Sequence, residues 1–215
     1  MGSPRRVIVL RHGETEHNAA GIWQGHLDSP LSADGEEQAS AAAAVLAGYA
    51  PAVVAASDLS RARVTGQAVA DAVGRPLVVD GRFREVHAGR WQGMSGDEVQ
   101  RDYPEDMDRL MRGEDFPRGV TGETLADVSE RCRAGVGDLL RQLPEGATAV
   151  IATHGVAGRA IVADLIGLTQ SQAWTTLAGL GNCHWAEVTE SRTGWRLQAW
   201  NVAVLAGASL PSNAA

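Results

Sequence analysis

The sequence contains no lysine. All 19 of its strongly basic side chains are arginines, in a chain of 215 residues. This absence excludes the lysine of a P-loop, the lysine of a protein kinase and the lysine of a Schiff-base enzyme. Arginine is therefore the only side chain that carries a permanent positive charge here.

Long apolar runs and paired cysteines are also missing. No run approaches the ~20 residues that a membrane helix needs, and Val7–Leu10 is too short for the apolar part of a signal peptide. The two cysteines, Cys132 and Cys183, match neither C-x-x-C spacing nor a disulfide framework. We expect both to be small buried hydrophobes. These features predict a cytoplasmic protein with no membrane partner.

Positive charge is scarce over the whole chain. The formal net charge is −7, which argues against nucleic acid as a partner. An anionic substrate would need a local cluster of arginines to overcome this repulsive field. With 44 % hydrophobic and 21 % charged residues, the chain has enough apolar material for one folded domain. We predict that domain over residues 1–205, and a flexible C-terminal tail over residues 206–215.

Short apolar segments alternate with segments of helical periodicity. The predicted strands are Val7–Leu10, Ala52–Ala56, Leu77–Val79, Ala147–Ala152 and a C-terminal hairpin of Trp185–Val188 with Trp195–Trp200. The predicted helices begin at the capping residues Ser32, Asp58, Ser95 and Thr124, and at Val156. This alternation predicts an α/β protein, a three-layer α/β/α sandwich with a mostly parallel central sheet.

Charged and polar residues follow the predicted strands. The first strand ends in Arg11-His12-Gly13, the second is followed by Arg61, and the fourth ends in His154-Gly155. Glu85 comes shortly after the third strand. Because ligands bind beyond the carboxyl ends of the strands in such sheets, we expect these residues to meet at one edge.

The residue types at this edge suit phosphoryl transfer. A neutral imidazole can act as a nucleophile, and guanidinium groups grip phosphate oxygens with a rigid fork. A nearby carboxylic acid can protonate an alcohol as it leaves. We expect the glycine after each histidine to leave space where a ligand approaches the backbone. Together these groups predict a reaction that proceeds through a phosphohistidine.

The motif Arg11-His12-Gly13-Glu14-Thr15, continuing to Asn18, resembles the signature of the histidine phosphatase superfamily, the phosphoglycerate mutase-like proteins. The likeness extends in order along most of the chain, through Trp23-Gln24-Gly25, Leu31-Ser32 to Gly35, Ser57 to Thr65, Arg84-Glu85 to Gly93, and Thr153-His154-Gly155. Two C-terminal segments, Leu177–Trp185 and Gly194–Val204, are similar to those of glucosyl-3-phosphoglycerate phosphatases.

This resemblance implies a phosphoglycerate mutase-like fold and a role for each matching residue. His12 would be the phosphorylated nucleophile and Glu85 the general acid and base. The other residues that the resemblance places in the phosphate and substrate pocket are Arg11, Arg61, His154, Asn18, Gln24, Gly25 and Gly155.

The sequence therefore predicts a phosphatase that needs no metal and no cofactor. Its substrate would be a small phosphorylated metabolite, a sugar or glycerate ester such as glucosyl-3-phosphoglycerate. Nearby arginines favour an ionised Glu85, so we expect this residue to act as an acid mainly in the substrate complex.

We interpret the other histidines as exposed loop residues without a role: His17, His26, His87 and His184.

Two alternatives stay open at this point. One is a phosphoglycerate mutase; the span of 69 positions from Glu85 to His154 is shorter than in mutases that the chain resembles, which favours hydrolysis. The other is a catalytically silent protein that binds a phosphorylated ligand. The six tryptophans have two explanations as well, core packing or a homodimer formed through the C-terminal hairpin.

Overall fold

The computed structural model describes residues 3–204, so the predicted tail over residues 206–215 lies outside the described residues. One six-stranded sheet runs through them, in the order β3-β2-β4-β1-β5-β6. The strands are β1 (Arg6–Arg11), β2 (Val53–Ala56), β3 (Leu77–Val79), β4 (Thr148–Thr153), β5 (Trp185–Ser191) and β6 (Gly194–Val202). The first four are parallel to one another, and β5 runs antiparallel to β1 and β6. The predicted mostly parallel sheet is confirmed.

Helices cover both faces of the sheet. They are α1 (Glu16–Ala19), α2 (Ala33–Ala47), α3 (Ser60–Ala72), α4 (Gly96–Asp102), α5 (Pro104–Met111), α6 (Leu125–Gln142), α7 (Gly155–Ile166) and α8 (Gln170–Thr176). The predicted caps Ser32, Ser95 and Thr124 accept hydrogen bonds from backbone N–H groups of α2, α4 and α6. None of the helices within residues 3–204 is long and apolar enough to cross a membrane.

Alternate residues of β1 belong to different sides of the core. Val7 and Val9 pack in a cluster with residues of α6 and α7, whereas Ile8 and Leu10 pack with residues of α2 and α3. Side chains of a strand point to its two faces in turn, so this alternation produces the three predicted layers.

A third apolar cluster surrounds Trp91 and lies beyond the sheet. Its buried members include Val99 of α4 and Leu110 of α5, and Trp23 and Trp174 pack against it. The remaining tryptophans, Trp185, Trp195 and Trp200, pack in or against the two clusters on the sheet. All six tryptophans therefore contribute to core packing, and the homodimer stays a prediction.

The predicted cap at Asp58 is wrong. Helix α3 begins at Ser60, and Leu59 precedes it without any side-chain cap. Asp58 instead accepts two hydrogen bonds from Arg84, at 2.8 and 2.6 Å, while Asp28 accepts the backbone N–H of Ser60 at 2.7 Å. A bidentate pair with a guanidinium satisfies both oxygens of Asp58, so a carboxylate from another loop caps the helix.

Gly13 has a different role from the one expected. A Cβ atom at Gly13 would collide with the backbone carbonyl oxygen of Gly35, at the start of α2. The space beside the loop after β1 is therefore filled by another stretch of backbone, and no ligand can enter it. Only a glycine permits two main chains to approach so closely.

We predict that Gly13→Ala lowers the free energy of unfolding by about 1–3 kcal/mol, the usual cost of overpacking. Gly96→Ala is the control, because a Cβ at Gly96 would meet no atom within 4 Å. Urea denaturation of both variants measures the difference. Equal stability of the two variants would contradict the close approach between Gly13 and Gly35.

Candidate active site

A pocket of about 190 Å³ lies at the carboxyl ends of β1 and β2. Seven of the nine predicted site residues line it: Arg11, His12, Asn18, Gln24, Gly25, Arg61 and Glu85. The other two, His154 and Gly155, lie directly beside these residues. The structure therefore brings together residues that the sequence separates by up to 144 positions.

His12 follows β1 and is 3 % exposed. Its backbone N–H donates to the carbonyl of Thr153 at the end of β4, at 2.9 Å. In the ring, Nδ1 lies 2.7 Å from the carbonyl oxygen of Gly13. A carbonyl oxygen only accepts hydrogen bonds, so Nδ1 carries the proton in the neutral ring. The lone pair is therefore on Nε2, which is the atom available for nucleophilic attack.

His154 lies next to His12 in the same buried space. The two ring centroids are 5.1 Å apart, with an angle of 62° between the ring planes. Nε2 of His154 is 3.0 Å from Oγ of Ser57, and its Nδ1 has no hydrogen-bond partner within the described residues. The two imidazoles therefore lie side by side at the carboxyl ends of the strands.

Two arginines place positive charge in this pocket without an acidic partner. Arg61 donates to the carbonyls of Leu27 and Gly25, at 2.7 and 2.8 Å. Arg11 donates to the carbonyl of Leu180, at 2.5 Å. Within the described residues, Nε of each arginine has no hydrogen-bond partner. Neutral carbonyls position the guanidinium groups without cancelling their charge, which suits an anionic ligand.

Burial and charge both keep the two histidines neutral. Desolvation lowers the pKa of His12 and of His154 well below the usual value of 6.5, and the positive charges of Arg11 and Arg61 lower both further. Desolvation also lowers the pKa of each arginine, although a guanidinium stays charged at physiological pH. The site therefore holds an unprotonated imidazole beside cations, as a nucleophile that attacks a phosphate requires.

Glu85 lies at the N-terminal end of α7. Its carboxylate accepts three backbone N–H groups, from Val86 at 2.8 Å, Ala157 at 3.1 Å and Val156 at 3.2 Å. Gly155 is adjacent: a Cβ there would lie 3.7 Å from Oε2 of Glu85 and 3.9 Å from Nε of Arg11. The three N–H groups fix both carboxylate oxygens beside the pocket.

Asn18 and Gln24 present amide groups whose oxygens are already engaged. Oδ1 of Asn18 accepts from the backbone N–H of Thr15 at 3.2 Å and from Nδ2 of Asn182 at 3.1 Å. Oε1 of Gln24 accepts from Oγ of Ser29 at 2.7 Å. The amide nitrogens, which can only donate, are thus the groups left to contact an anion.

Gly25 contributes its backbone. Its φ of +52° lies in the left-handed region that favours glycine. A Cβ there would collide with the side chain of Gln92. Its carbonyl accepts a hydrogen bond from Arg61, as described above. Gly25 therefore helps to position the arginine rather than to enlarge the pocket.

Two residues that support Glu85 were not identified from the sequence. Nη2 of Arg131 and Nε2 of His26 both donate to the main-chain carbonyl of Glu85, each at 2.8 Å. Arg131 also pairs with Glu123, at 2.8 Å. The interpretation of His26 as an exposed residue without a role is therefore wrong. Contacts to a main-chain carbonyl leave no pattern in the sequence, and Arg131 lies 46 positions from Glu85.

The described residues hold no group of three or more His, Cys, Asp and Glu side chains that could bind a metal ion. Both cysteines are buried and free. Desolvation raises the pKa of each thiol to about 12. Both thiols therefore stay protonated, which agrees with their prediction as small buried hydrophobes.

The chain matches the family model described as histidine phosphatase superfamily (branch 1) over residues 7–203. A glucosyl-3-phosphoglycerate phosphatase of Mycolicibacterium vanbaalenii is 38 % identical over 217 residues, covering 92 % of this chain and 94 % of that protein. A probable phosphoglycerate mutase GpmB of Serratia proteamaculans is 34 % identical over 197 residues, covering 92 % of this chain and 90 % of that protein.

Solved structures give the same result for the fold. A mycobacterial glucosyl-3-phosphoglycerate phosphatase in complex with VO3 superimposes with a TM-score of 0.87 and 34 % identity, covering 93 % of this chain and 100 % of the other. The same kind of enzyme with inorganic phosphate gives a TM-score of 0.84 and 33 % identity, covering 93 % of this chain and 98 % of the other. The predicted phosphoglycerate mutase-like fold is thereby confirmed.

The two neutral histidines predict a loss of stability in acid. Below about pH 6.5 the unfolded chain binds protons that the buried rings of the native protein do not, so the free energy of unfolding falls as pH falls. We expect about 1 kcal/mol for each histidine between pH 6 and pH 5. Urea denaturation across this range should show a smaller loss in His12→Asn and His154→Asn. In Gly96→Ala, which changes no titratable group, the loss should equal that of the unmodified protein. If the free energy of unfolding of His12→Asn and His154→Asn falls with pH as steeply as that of the unmodified protein, the two histidines are not buried neutral groups.

Proposed function

The chain belongs to the histidine phosphatase superfamily, and we propose that it is a phosphatase that hydrolyses a small phosphomonoester through a phosphohistidine at His12. One observation carries this proposal: the bare Nε2 of a neutral His12 lies in a pocket with two guanidinium groups, neither of which has a carboxylate within 4 Å among residues 3–204. A nucleophile and an anion-binding site thus coincide, as phosphoryl transfer requires.

In the first step, the lone pair on Nε2 of His12 attacks phosphorus in line with the leaving oxygen. The P–N bond forms, the bond between phosphorus and the alcohol oxygen breaks, and its electron pair stays on that oxygen. Protonated Glu85 gives its proton to this oxygen. Arg11 and Arg61 neutralise the charge on the other phosphoryl oxygens, and the neutral ring of His154 donates a hydrogen bond to one of them.

In the second step, water cleaves the phosphohistidine. The now ionised Glu85 takes a proton from the water as its oxygen attacks phosphorus, and the P–N bond returns its electrons to Nε2 of His12. Inorganic phosphate leaves, and the neutral imidazole is restored. The three backbone donors to Glu85 keep the carboxylate in the same place for both proton transfers.

A glycerate-type ester is the substrate class that the relatives support. The relatives named glucosyl-3-phosphoglycerate phosphatase cover 92 % of this chain. The pocket of about 190 Å³ is smaller than the ~300–1,000 Å³ of sites that enclose a drug-sized ligand. It therefore has room for a phosphoryl group and a few further atoms, while a bulkier alcohol would extend outside it.

The same proposal includes a reaction without a metal ion. Two arginines supply the positive charge that a metal ion would otherwise provide, and neutral His154 adds a hydrogen-bond donor. A cytoplasmic location, a homodimer and a single domain over residues 1–205 stay predictions from the sequence.

A mutase is the second candidate, because relatives named probable phosphoglycerate mutase GpmB are up to 34 % identical. Incubation with 3-phosphoglycerate distinguishes the two reactions. We expect release of inorganic phosphate without accumulation of 2-phosphoglycerate. Interconversion of the two isomers without net release of phosphate would establish the mutase instead.

We predict that His12→Ala releases no phosphate from an aryl phosphate and takes up no phosphoryl group, because no other imidazole lines the pocket within the described residues. His184→Ala removes an imidazole outside the pocket and serves as the control. The phosphohistidine is identified by incubating the protein with a substrate labelled in its phosphoryl group and measuring whether the protein-bound label is lost in acid and retained in alkali. Full turnover by His12→Ala would disprove the nucleophile, and an inactive unmodified protein would favour the silent binding protein.

For Glu85→Gln, the expected loss depends on the leaving group. An alkyl phosphate needs a proton on its departing oxygen, so kcat should fall by ~10²–10⁴. An activated aryl phosphate leaves without that proton, and phosphohistidine should then accumulate because water lacks its base. Rapid-mixing kinetics with both esters checks the difference. An equal small loss with both esters would remove Glu85 from the acid role.

A further inference from the structure

Four arginines are at least partly buried and have no carboxylate within 4 Å among residues 3–204: Arg11, Arg61, Arg118 and Arg159. This is unexpected in a chain with 26 acidic residues and a net charge of −7. Arg11 and Arg61 belong to the phosphate pocket. The other two are not explained by the proposed reaction.

Arg159 lies on α7, four residues after Gly155. Residues four apart share one face of a helix, and that face of α7 carries Gly155 next to Glu85 and Arg11. Helical side chains also lean towards the N-terminus of their helix, and the N-terminus of α7 is the end that lies at the pocket. The side chain of Arg159 therefore extends along the wall of α7 towards the pocket.

The guanidinium of Arg159 makes no hydrogen bond or ion pair within the described part of the chain, and its Nε is buried. Desolvation lowers its pKa, and the one charge that raises it is Glu85. A Cβ at Gly179 would lie 3.7 Å from its Nη2. The neighbouring Leu180 accepts the hydrogen bond from Arg11, so Arg159 borders the same loop as the phosphate-binding arginine.

Trp174 holds this guanidinium in place by its ring. The Cζ atom of Arg159 lies 4.4 Å from the ring centroid, and Cζ of Arg118 lies 5.6 Å from it. Arg118 is 1 % exposed, and its Nη2 has no partner within residues 3–204. Burial lowers the pKa of Arg118 to about 10, which leaves it charged at pH 7. Two cations on one ring, with no carboxylate within 4 Å of either among residues 3–204, form a second positive region around Trp174.

We propose that Arg159 binds a second anionic group of the substrate, a carboxylate on the alcohol part of the ester. A guanidinium stacked on an aromatic ring keeps its planar fork free for bidentate contact with a carboxylate. Arg118, whose Cζ lies 5.6 Å from the centroid of the same ring, adds a second positive charge near this guanidinium. This inference rests on the proposed function, since it assumes that the phosphoryl group of the same ester occupies the pocket of His12.

The test compares 3-phosphoglycerate, which has a carboxylate, with glycerol 3-phosphate, which has none. The readout is the ratio of the two kcat/KM values, which is insensitive to a general loss of activity. We expect Arg159→Gln to lower this ratio by about 10–100-fold, the contribution of a hydrogen bond to a charged group, through a higher KM for 3-phosphoglycerate. Arg159→Lys, which keeps the charge without the fork, should retain part of the preference.

Arg133→Gln is the matched control, because Arg133 is exposed on α6 and its loss changes the net charge equally. Its ratio should equal that of the unmodified protein. Thermal denaturation of each variant checks that it is folded. An unchanged ratio in folded Arg159→Gln would overturn the proposal, as would an equal loss with both esters. A third substrate, fructose 1,6-bisphosphate, carries a second phosphate and no carboxylate. If the unmodified protein prefers it to 3-phosphoglycerate and Arg159→Gln loses that preference, Arg159 binds a second phosphate, and the proposal of a carboxylate site is overturned.

Failure of the proposed function is distinguished by a binding measurement. Titration calorimetry of the His12→Ala protein with the same two esters does not depend on hydrolysis. Tighter binding of 3-phosphoglycerate that is lost in the His12→Ala, Arg159→Gln double variant would support the anion site even if no ester is hydrolysed. Equal affinity of His12→Ala for both esters would overturn it, whatever the unmodified protein hydrolyses.

Discussion

The parallel pairing of β1 with β4 is the constraint on which the site depends. The two strands pair from Arg6 with Thr148 to Arg11 with Thr153, so both end at the same level. The residue that follows each strand is a histidine, His12 after β1 and His154 after β4, and the centroids of the two rings are 5.1 Å apart. A slip by one residue would turn alternate side chains to the opposite face and separate the rings. The buried residues of β1 on both faces prevent such a slip, and the core therefore fixes the geometry of the chemistry.

The site concentrates groups that are costly to bury. Two imidazoles are kept neutral by desolvation, and guanidinium groups are held by carbonyl oxygens rather than by carboxylates. Acidic partners would stabilise these arginines, but would also cancel the charge that a phosphate ester needs. Binding sites often sacrifice stability in this way. Several arginines outside the pocket do pair with acids, as Arg5 does with Glu190 and Arg82 with Asp80.

Sequence patterns predicted the elements that have regular periodicity and apolar character. Strand β3 lies where it was predicted, over Leu77–Val79. Strand β1 is one residue longer at each end than predicted, and β4 is shifted by one residue towards the C-terminus. The pattern did not reveal the short helices α5 and α8, whose residues pack against the separate cluster around Trp91 rather than against the sheet. The positions of the site residues followed from the strand ends. The supporting contacts of Arg131 and His26 could not be predicted, because they reach a main-chain carbonyl from distant segments.

The absence of lysine has a consequence for how tightly the pocket holds its ligand at different acidities. A buried ammonium group readily releases its proton, whereas a guanidinium keeps its charge. Because the cations that line the pocket beside His12 are Arg11 and Arg61, the positive charge of the pocket stays constant from mildly acidic to alkaline solution. The second ionisation of the phosphate ester itself, near pH 6, is then the event that governs when the dianion can enter.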